Sequence, residues 1–291
     1  WWLQARPALP RIAAAALMLY FGGRAAHGAW YMPTPSSWLG FGINYGNPVA
    51  EAEYLARNRF GPRLYNIFDS GGYLLWRLYP DYKVMVDSRS FPYLAWFDDQ
   101  YRFTMGENFD DFLRRYVGDT AVIDLAKSAA VRNFMRSNEW RLVYYGPTAA
   151  VFVRREAVLR GPLVDPAPER FSDLRNAEVA QRVFTFAAEA ADYRTAWIVL
   201  RQLETRLADR ADRAELTRAR TYRDAHRALR EREYGHARSL FDGAFKERIP
   251  GDQDRLIMVF LDRLAKSKIS GNEREAQGYE TALAKLVAPE S

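Results

Sequence analysis

Asp69, Gly71 and Gly72, together with Asp87 and Arg89 further on, are the residues whose types and spacing come nearest to a ligand site. Glycines admit close backbone approach and a helix N-terminus offers free amides, so Asp69-Ser70-Gly71-Gly72 has the makings of a phosphate cradle. It lacks the Gly-x-Gly-x-x-Gly spacing and the Gly-Lys-Ser/Thr ending of the nucleotide-binding fingerprints. An Asp69 that caps its own helix explains the same residues. Asp87 and Arg89 carry the charges to hold a metal-phosphate head group or, more simply, to pair and fix their loop.

Other chemistry thins quickly. The chain has no cysteine, which excludes zinc ribbons, disulfides and thiol nucleophiles. His27, His226 and His236 have no carboxylate or serine partner at a readable spacing. Asp98-Asp99 and Asp110-Asp111 are adjacent pairs on helices, so their side chains diverge. The aromatic run Phe91, Tyr93, Trp96, Phe97, Tyr101 and Phe103 could stack sugars or meet a membrane, but a core role is the simpler account. No metal site is assigned, no cofactor is named, and the catalytic residues are unknown. The net charge of +6 is spread over Arg residues with acidic neighbours, a pattern that does not point to nucleic acid.

The elements that position these residues follow from periodicity. A length of 291 residues, 48% hydrophobic, suits two folded units. Pro48 to Arg59 has helical spacing, with Asn47 as cap and Pro48 at the first position. Arg63 to Phe68 is a short apolar strand. Tyr73 to Tyr79 is an amphipathic segment stopped by Pro80, and Lys83 to Asp87 is a second strand. A helix over Phe109 to Tyr116, a strand over Thr120 to Leu125 and a helix from Ser128 to Ser137 with a serine cap follow. Trp140 to Tyr145 and Ala149 to Arg154 form a hairpin across Gly146-Pro147-Thr148. The fold class expected is α/β, with a mainly parallel small sheet and a closing hairpin over residues 47–160. Ligands of such sheets sit beyond the carboxyl ends of the strands, which places Asp69, Asp87, Arg89 and Asp124 near one rim.

At the start, Ile12 to Gly23 runs without a charge between Arg11 and Arg24. Extended to residues 9–31, it reaches the ~20 residues that cross a bilayer. Trp1, Trp2, Trp30 and Tyr31 resemble interfacial aromatic belts, and Arg6 and Arg11 place the N-terminus in the cytoplasm. Residues 1–32 are therefore expected to be a transmembrane anchor, a buried Ala-rich helix being the alternative, with 33–46 a linker.

The stretch from Leu64 to Arg89, with Asp69-Ser-Gly-Gly-Tyr-Leu-Leu-Trp76 and then Val86-Asp-Ser-Arg89, resembles the extracytoplasmic domain of bacterial membrane proteins related to the GT-C glycosyltransferases. The Trp140 to Arg154 pair resembles their closing hairpin, so the likeness spans about residues 45–155. A more distant similarity is to the oligosaccharyltransferase catalytic subunit, but Ile67-Phe68-Asp69-Ser70-Gly71 lacks the two tryptophans of its motif. The resemblance implies a place in the inner membrane with the soluble part periplasmic. It also implies a role as accessory or substrate-recognition region acting on lipid-linked sugars, the catalytic membrane portion lying outside this chain.

Gly161 to Pro168, rich in proline, marks a linker over 161–171. Beyond it, Asp192-Tyr193-x-x-Ala196 and Glu233-Tyr234-x-x-Ala237 recur about 40 residues apart, with Ser270 to Ala276 a weaker third copy. Residues 172–291 thus resemble tetratricopeptide helical hairpins, whose usual period is about 34. That likeness supports an alternative function: a membrane-tethered module that binds a partner protein and has no catalysis. The partners expected are therefore the lipid bilayer, a lipid-linked sugar and a protein docked on the helical tail.

Overall fold

The computed structural model describes residues 8–31, 46–87, 94–157, 171–246 and 250–287. The chain divides into two compact units, 1–47 and 48–291.

Among its described residues the first unit contributes one helix, α1 (Ala8–Tyr31). Its side chains from Leu17 to Phe21 are exposed. The expectation of a membrane span at 9–31 is corrected: among the described residues no helix is long and apolar enough to cross a membrane. The shortfall is apolarity rather than length. Alanines precede the strongly apolar run Leu17–Phe21, and Gly22, Gly23, Arg24 and His27 follow it, residues that gain little or lose on transfer to lipid.

The second unit begins with α2 (Val49–Arg57) and β1 (Arg63–Asn66). Then come α3 (Phe68–Leu78), β2 (Lys83–Val84), α4 (Leu94–Thr104), α5 (Phe109–Arg115) and β3 (Thr120–Asp124). The α/β part closes with α6 (Ser128–Arg136), β4 (Trp140–Tyr145) and β5 (Ala149–Arg154). The strand order is β2-β1-β3-β5-β4. The sheet is mixed, not mainly parallel: β1 runs parallel to β2 and β3, whereas β5 is antiparallel to β3 and β4. The expected hairpin is present, but its second strand inserts beside β3, so the hairpin supplies half of the strand pairings.

Period-two alternation sends Leu64, Val122, Val151 and Val153 to one face, where Ala52 and Leu55 of α2 and Leu74 and Leu78 of α3 cover them. Tyr65, Ala121, Ile123, Ala150 and Phe152 point to the other face, against Phe134 of α6 and the helical layer. Two caps differ from expectation. Pro48, not Asn47, is the N-cap of α2, and Lys127 precedes α6, so Ser128 is its first residue rather than its cap.

The helical layer comprises α7 (Ala177–Glu189), α8 (Tyr193–Thr205), α9 (Arg213–Arg230), α10 (Tyr234–Ala244), α11 (Asp252–Ile269) and α12 (Glu273–Leu286). They pack as consecutive pairs, α7 with α8, α9 with α10 and α11 with α12. The turn inside each pair has one geometry. Ala191, Arg232 and Gly271 have φ of 57°, 62° and 71°. In each turn the left-handed residue donates its N–H three residues back, and the next residue donates five back: Asp192 to Ala187, Glu233 to Ala228 and Asn272 to Ser267. This is a Schellman ending, which satisfies carbonyls the helix would leave open. Ala196, Ala237 and Ala276 follow at equivalent positions, all buried.

The layer shares its core with the sheet. Tyr145 of β4 stacks on Phe171 with ring centroids 5.3 Å apart, and its hydroxyl donates to Asp192 Oδ2 at 2.5 Å. Arg132 of α6 reaches Glu189 at the end of α7 at 3.3 Å.

Candidate functional site at the sheet rim

β1 and β3 are parallel neighbours, so both deliver their carboxyl ends to the same edge of the sheet. The β4–β5 turn lies there too, because Asp124 at the end of β3 is paired with Ala149. Asn66, Asp69, Asp124 and the hairpin turn therefore share a rim.

The chain passes from β1 into α3 with only Ile67 between, so Asp69-Ser70-Gly71-Gly72 is the first turn of a helix and not a separate loop. Ile67 occupies the N-cap, and no side chain caps α3. Asp69 is accordingly an exposed first-turn carboxylate that favours the helix dipole without capping it. Gly71 has a different reason to be glycine. A Cβ there would lie 1.9 Å from the Val86 carbonyl oxygen, whereas one at Gly72 would meet nothing within 4 Å. Helix α3 is thus pressed onto the chain leaving β2. Asp87 is half-buried beside that contact; Arg89 lies outside the described residues, and so does any pairing between the two.

Asn66 organises this edge, and sequence reasoning passed over it. Its buried amide donates to the carbonyls of Ile67 at 2.9 Å and Val86 at 2.7 Å. Its side-chain oxygen accepts from the N–H groups of Met85 at 3.0 Å and Val86 at 3.3 Å. Because β2 is only two residues long, one side chain stands in for the missing ladder and satisfies backbone groups that would otherwise be buried unpaired.

Glu51 of α2 is the second residue that was missed. It is fully buried, and its Oε1 accepts from the N–H groups of Ala149 at 2.8 Å and Thr148 at 3.2 Å, which locks the β4–β5 turn. Oε2 has no hydrogen-bond partner. Burial pushes the carboxyl up to about 7, against the pull of those backbone donors, and the nearby Asp124 adds to the rise. Asp124 accepts from the Ala126 N–H at 2.7 Å, and burial raises its pKa as well. A raised carboxyl is a familiar mark of acid–base chemistry. Glu51, however, has no exposed surface through which a substrate could reach it, and its bonds hold the fold.

No protein-family model, no curated protein and no solved structure matches the chain. A functional reading therefore rests on residues and geometry.

The remaining sequence candidates disperse. Phe103 is core, Phe97 and Tyr101 are exposed, and Phe91 and Tyr93 lie outside the described residues. Asp99 pairs with Arg115 and Asp111 with Arg114, so the acidic doublets serve separate ion pairs. Among the described residues no three His, Asp or Glu side chains are grouped to hold a metal ion. His236 is exposed. His226 is different: it is fully buried on α9, and its Nε2 lies 3.5 Å from Asp254 Oδ1 of α11. That carboxylate partner is 28 residues distant, a separation that no sequence motif announces.

Proposed function

We propose that this chain is an extracytoplasmic recognition region of a membrane protein resembling the GT-C relatives, and that it works by binding rather than by reaction. The observation that carries the reading is the threefold recurrence of one turn geometry, at Ala191, Arg232 and Gly271, each followed by a buried alanine. Tetratricopeptide-like hairpins built in this way stack into a surface that a partner protein can occupy. The rim supports the same conclusion from the other side, since Asn66 and Gly71 are taken up by the fold and Glu51 is enclosed. The exposed apolar residues of α1 suit association with the bilayer, on the periplasmic side of an inner membrane. In this reading any lipid-linked sugar reacts in the membrane portion of the protein, while the helical layer recruits a protein partner to it.

The test is photo-crosslinking in the full-length protein in its native membrane. Crosslinkers at Leu256 and Val259, exposed on α11, are expected to give a protein adduct of discrete mass, absent when the crosslinker replaces Trp76 on α3. Adducts with a lipid-linked sugar alone would move the reading to substrate recognition. Absence of any adduct from the helical layer would sink it. Protease added to intact spheroplasts should also cut beyond residue 46; protection until lysis would place this unit on the cytoplasmic side.

A further inference from the structure

A narrow, open-mouthed cleft of about 50 Å³ lies between α7, α9, α10 and the first turn of α11. Its walls are aromatic: Phe184, Tyr222 and Phe245 line it, with ring centroids 6.3 Å apart for Phe184 and Tyr222 and 5.7 Å for Tyr222 and Phe245. Three carboxylates line it as well, Glu189, Glu215 and Asp254, with Arg218 the one guanidinium among the described residues of the lining. Arg218 pairs with Glu215 at 2.6 Å, and Arg132 from α6 pairs with Glu189 at 3.3 Å.

Asp254 has no such answer. It is 2% exposed, and both of its oxygens lie 3.0 Å from the Tyr222 hydroxyl, which donates to them. Its other neighbours are His226, at 3.5 Å and without a hydrogen bond from either ring nitrogen, and Tyr193, whose hydroxyl its charge helps to keep protonated. Among the described residues no Lys or Arg pairs with Asp254. It sits in the first turn of α11, whose N-terminus offers about half an elementary charge and leaves the rest uncompensated. Buried charges are ordinarily paired, because desolvation is costly.

We propose that this cleft binds an organic cation, an alkylammonium or guanidinium group such as ends a Lys or Arg side chain, with Asp254 as its counter-ion. Tyr222, Phe184 and Phe245 present ring faces and edges that shelter the alkyl stem and attract the charged head. The Tyr222 hydroxyl stays protonated, since burial and the Asp254 charge hold its pKa well above the ordinary value. It therefore orients the carboxylate as a donor and does not compete with it. The site goes beyond the recognition reading and does not depend on the repeat likeness, because the cleft and its unmatched carboxylate stand whether or not the hairpins bind a protein.

The experiment is an NMR titration of the folded 291-residue chain with butylammonium, butylguanidinium and the neutral butyramide. Saturable shifts of the Ala188, Tyr222, Phe245 and Asp254 amides with both cations are expected, with binding of butyramide weaker by about tenfold or more. Asp254→Asn keeps an acceptor for Tyr222 and should weaken cation binding by a similar factor. Should that variant fail to fold, the comparison of cations with butyramide on the unmodified protein still decides. Equal response to butyramide, or no saturable shift with either cation, overturns the proposal. A capped Gly-Arg-Gly peptide distinguishes the sources: tighter binding than butylguanidinium assigns the site to a peptide side chain, and equal binding assigns it to a free small amine.

Discussion

The Cα of Gly71 faces the Val86 carbonyl so closely that a methyl group there would lie 1.9 Å from its oxygen. Helix α3 can rest on the segment after β2 only because this position has no side chain. The obstacle is backbone, itself held by Asn66, so it cannot swing aside.

Gly71→Ala is therefore expected to cost ~1–3 kcal/mol or more, the scale of overpacking a tight contact. Gly72→Ala, one residue on in the same helix with open space around it, should be neutral or stabilising by up to ~1 kcal/mol through helix propensity. Urea denaturation of the two variants checks the contrast. Equal effects would mean that α3 does not sit on Val86.

Glu51 makes stability depend on pH in a stated direction. Its folded pKa of about 7 lies above the ordinary 4.5, so between those values the folded state holds more proton than the unfolded one. By linkage, the stability linked to this group is fully present below the ordinary pKa and is lost as pH rises through the folded one. The drop has an upper bound of roughly 3 kcal/mol. Glu51→Gln keeps an oxygen for the Ala149 and Thr148 N–H groups and removes the titration. Melting temperature measured from pH 5 to pH 8 should fall for the unmodified chain relative to the variant; parallel curves would exclude a raised Glu51.

The three turns of the helical layer differ in one residue type at the left-handed position. Ala191 and Arg232 adopt φ of 57° and 62° with a Cβ, where glycine pays no steric penalty. Ala191→Gly and Arg232→Gly should each stabilise by ~0.5–1 kcal/mol, because relief of the strain exceeds the added freedom of the unfolded chain. Gly271→Ala should destabilise by about 1 kcal/mol. Guanidinium denaturation reads all three, and a uniform sign would contradict a shared geometry.

Ala196 and Ala237 are both fully buried at matching positions after their turns. Enlarging either to Phe is expected to cost ~1–3 kcal/mol, whereas Ala214→Phe, on the exposed face of α9, should stay within ~0.5 kcal/mol. Calorimetric melting of the whole chain distinguishes them. Unchanged melting of both buried variants would count against close helix approach at these alanines.

The sequence by itself settled what short-range periodicity can carry. The short apolar runs at Thr120–Asp124 and Ala149–Arg154 named strands, and the proline and glycine of Gly146-Pro147 marked the hairpin. The repeated acidic-Tyr-x-x-Ala segment marked two of the helical turns, because local hydrogen bonding and side-chain shape act within a few residues. The same reasoning misjudged α1, where length was legible but alanine and glycine diluted its apolarity below that of a spanning helix. It also started the helix after Asp69 too late, since two adjacent glycines read locally as a turn. Only the tertiary structure decided that β5 rather than β4 lies beside β3, that Asn66 replaces the missing length of β2, that Gly71 is demanded by Val86, and that Glu51 lies beneath the hairpin turn. It alone brought Asp254 to His226 and Tyr222. Each of these joins residues about 15 to 100 positions apart in the chain, and which of them meet is fixed by how whole faces pack together, a condition that no local pattern of residues records.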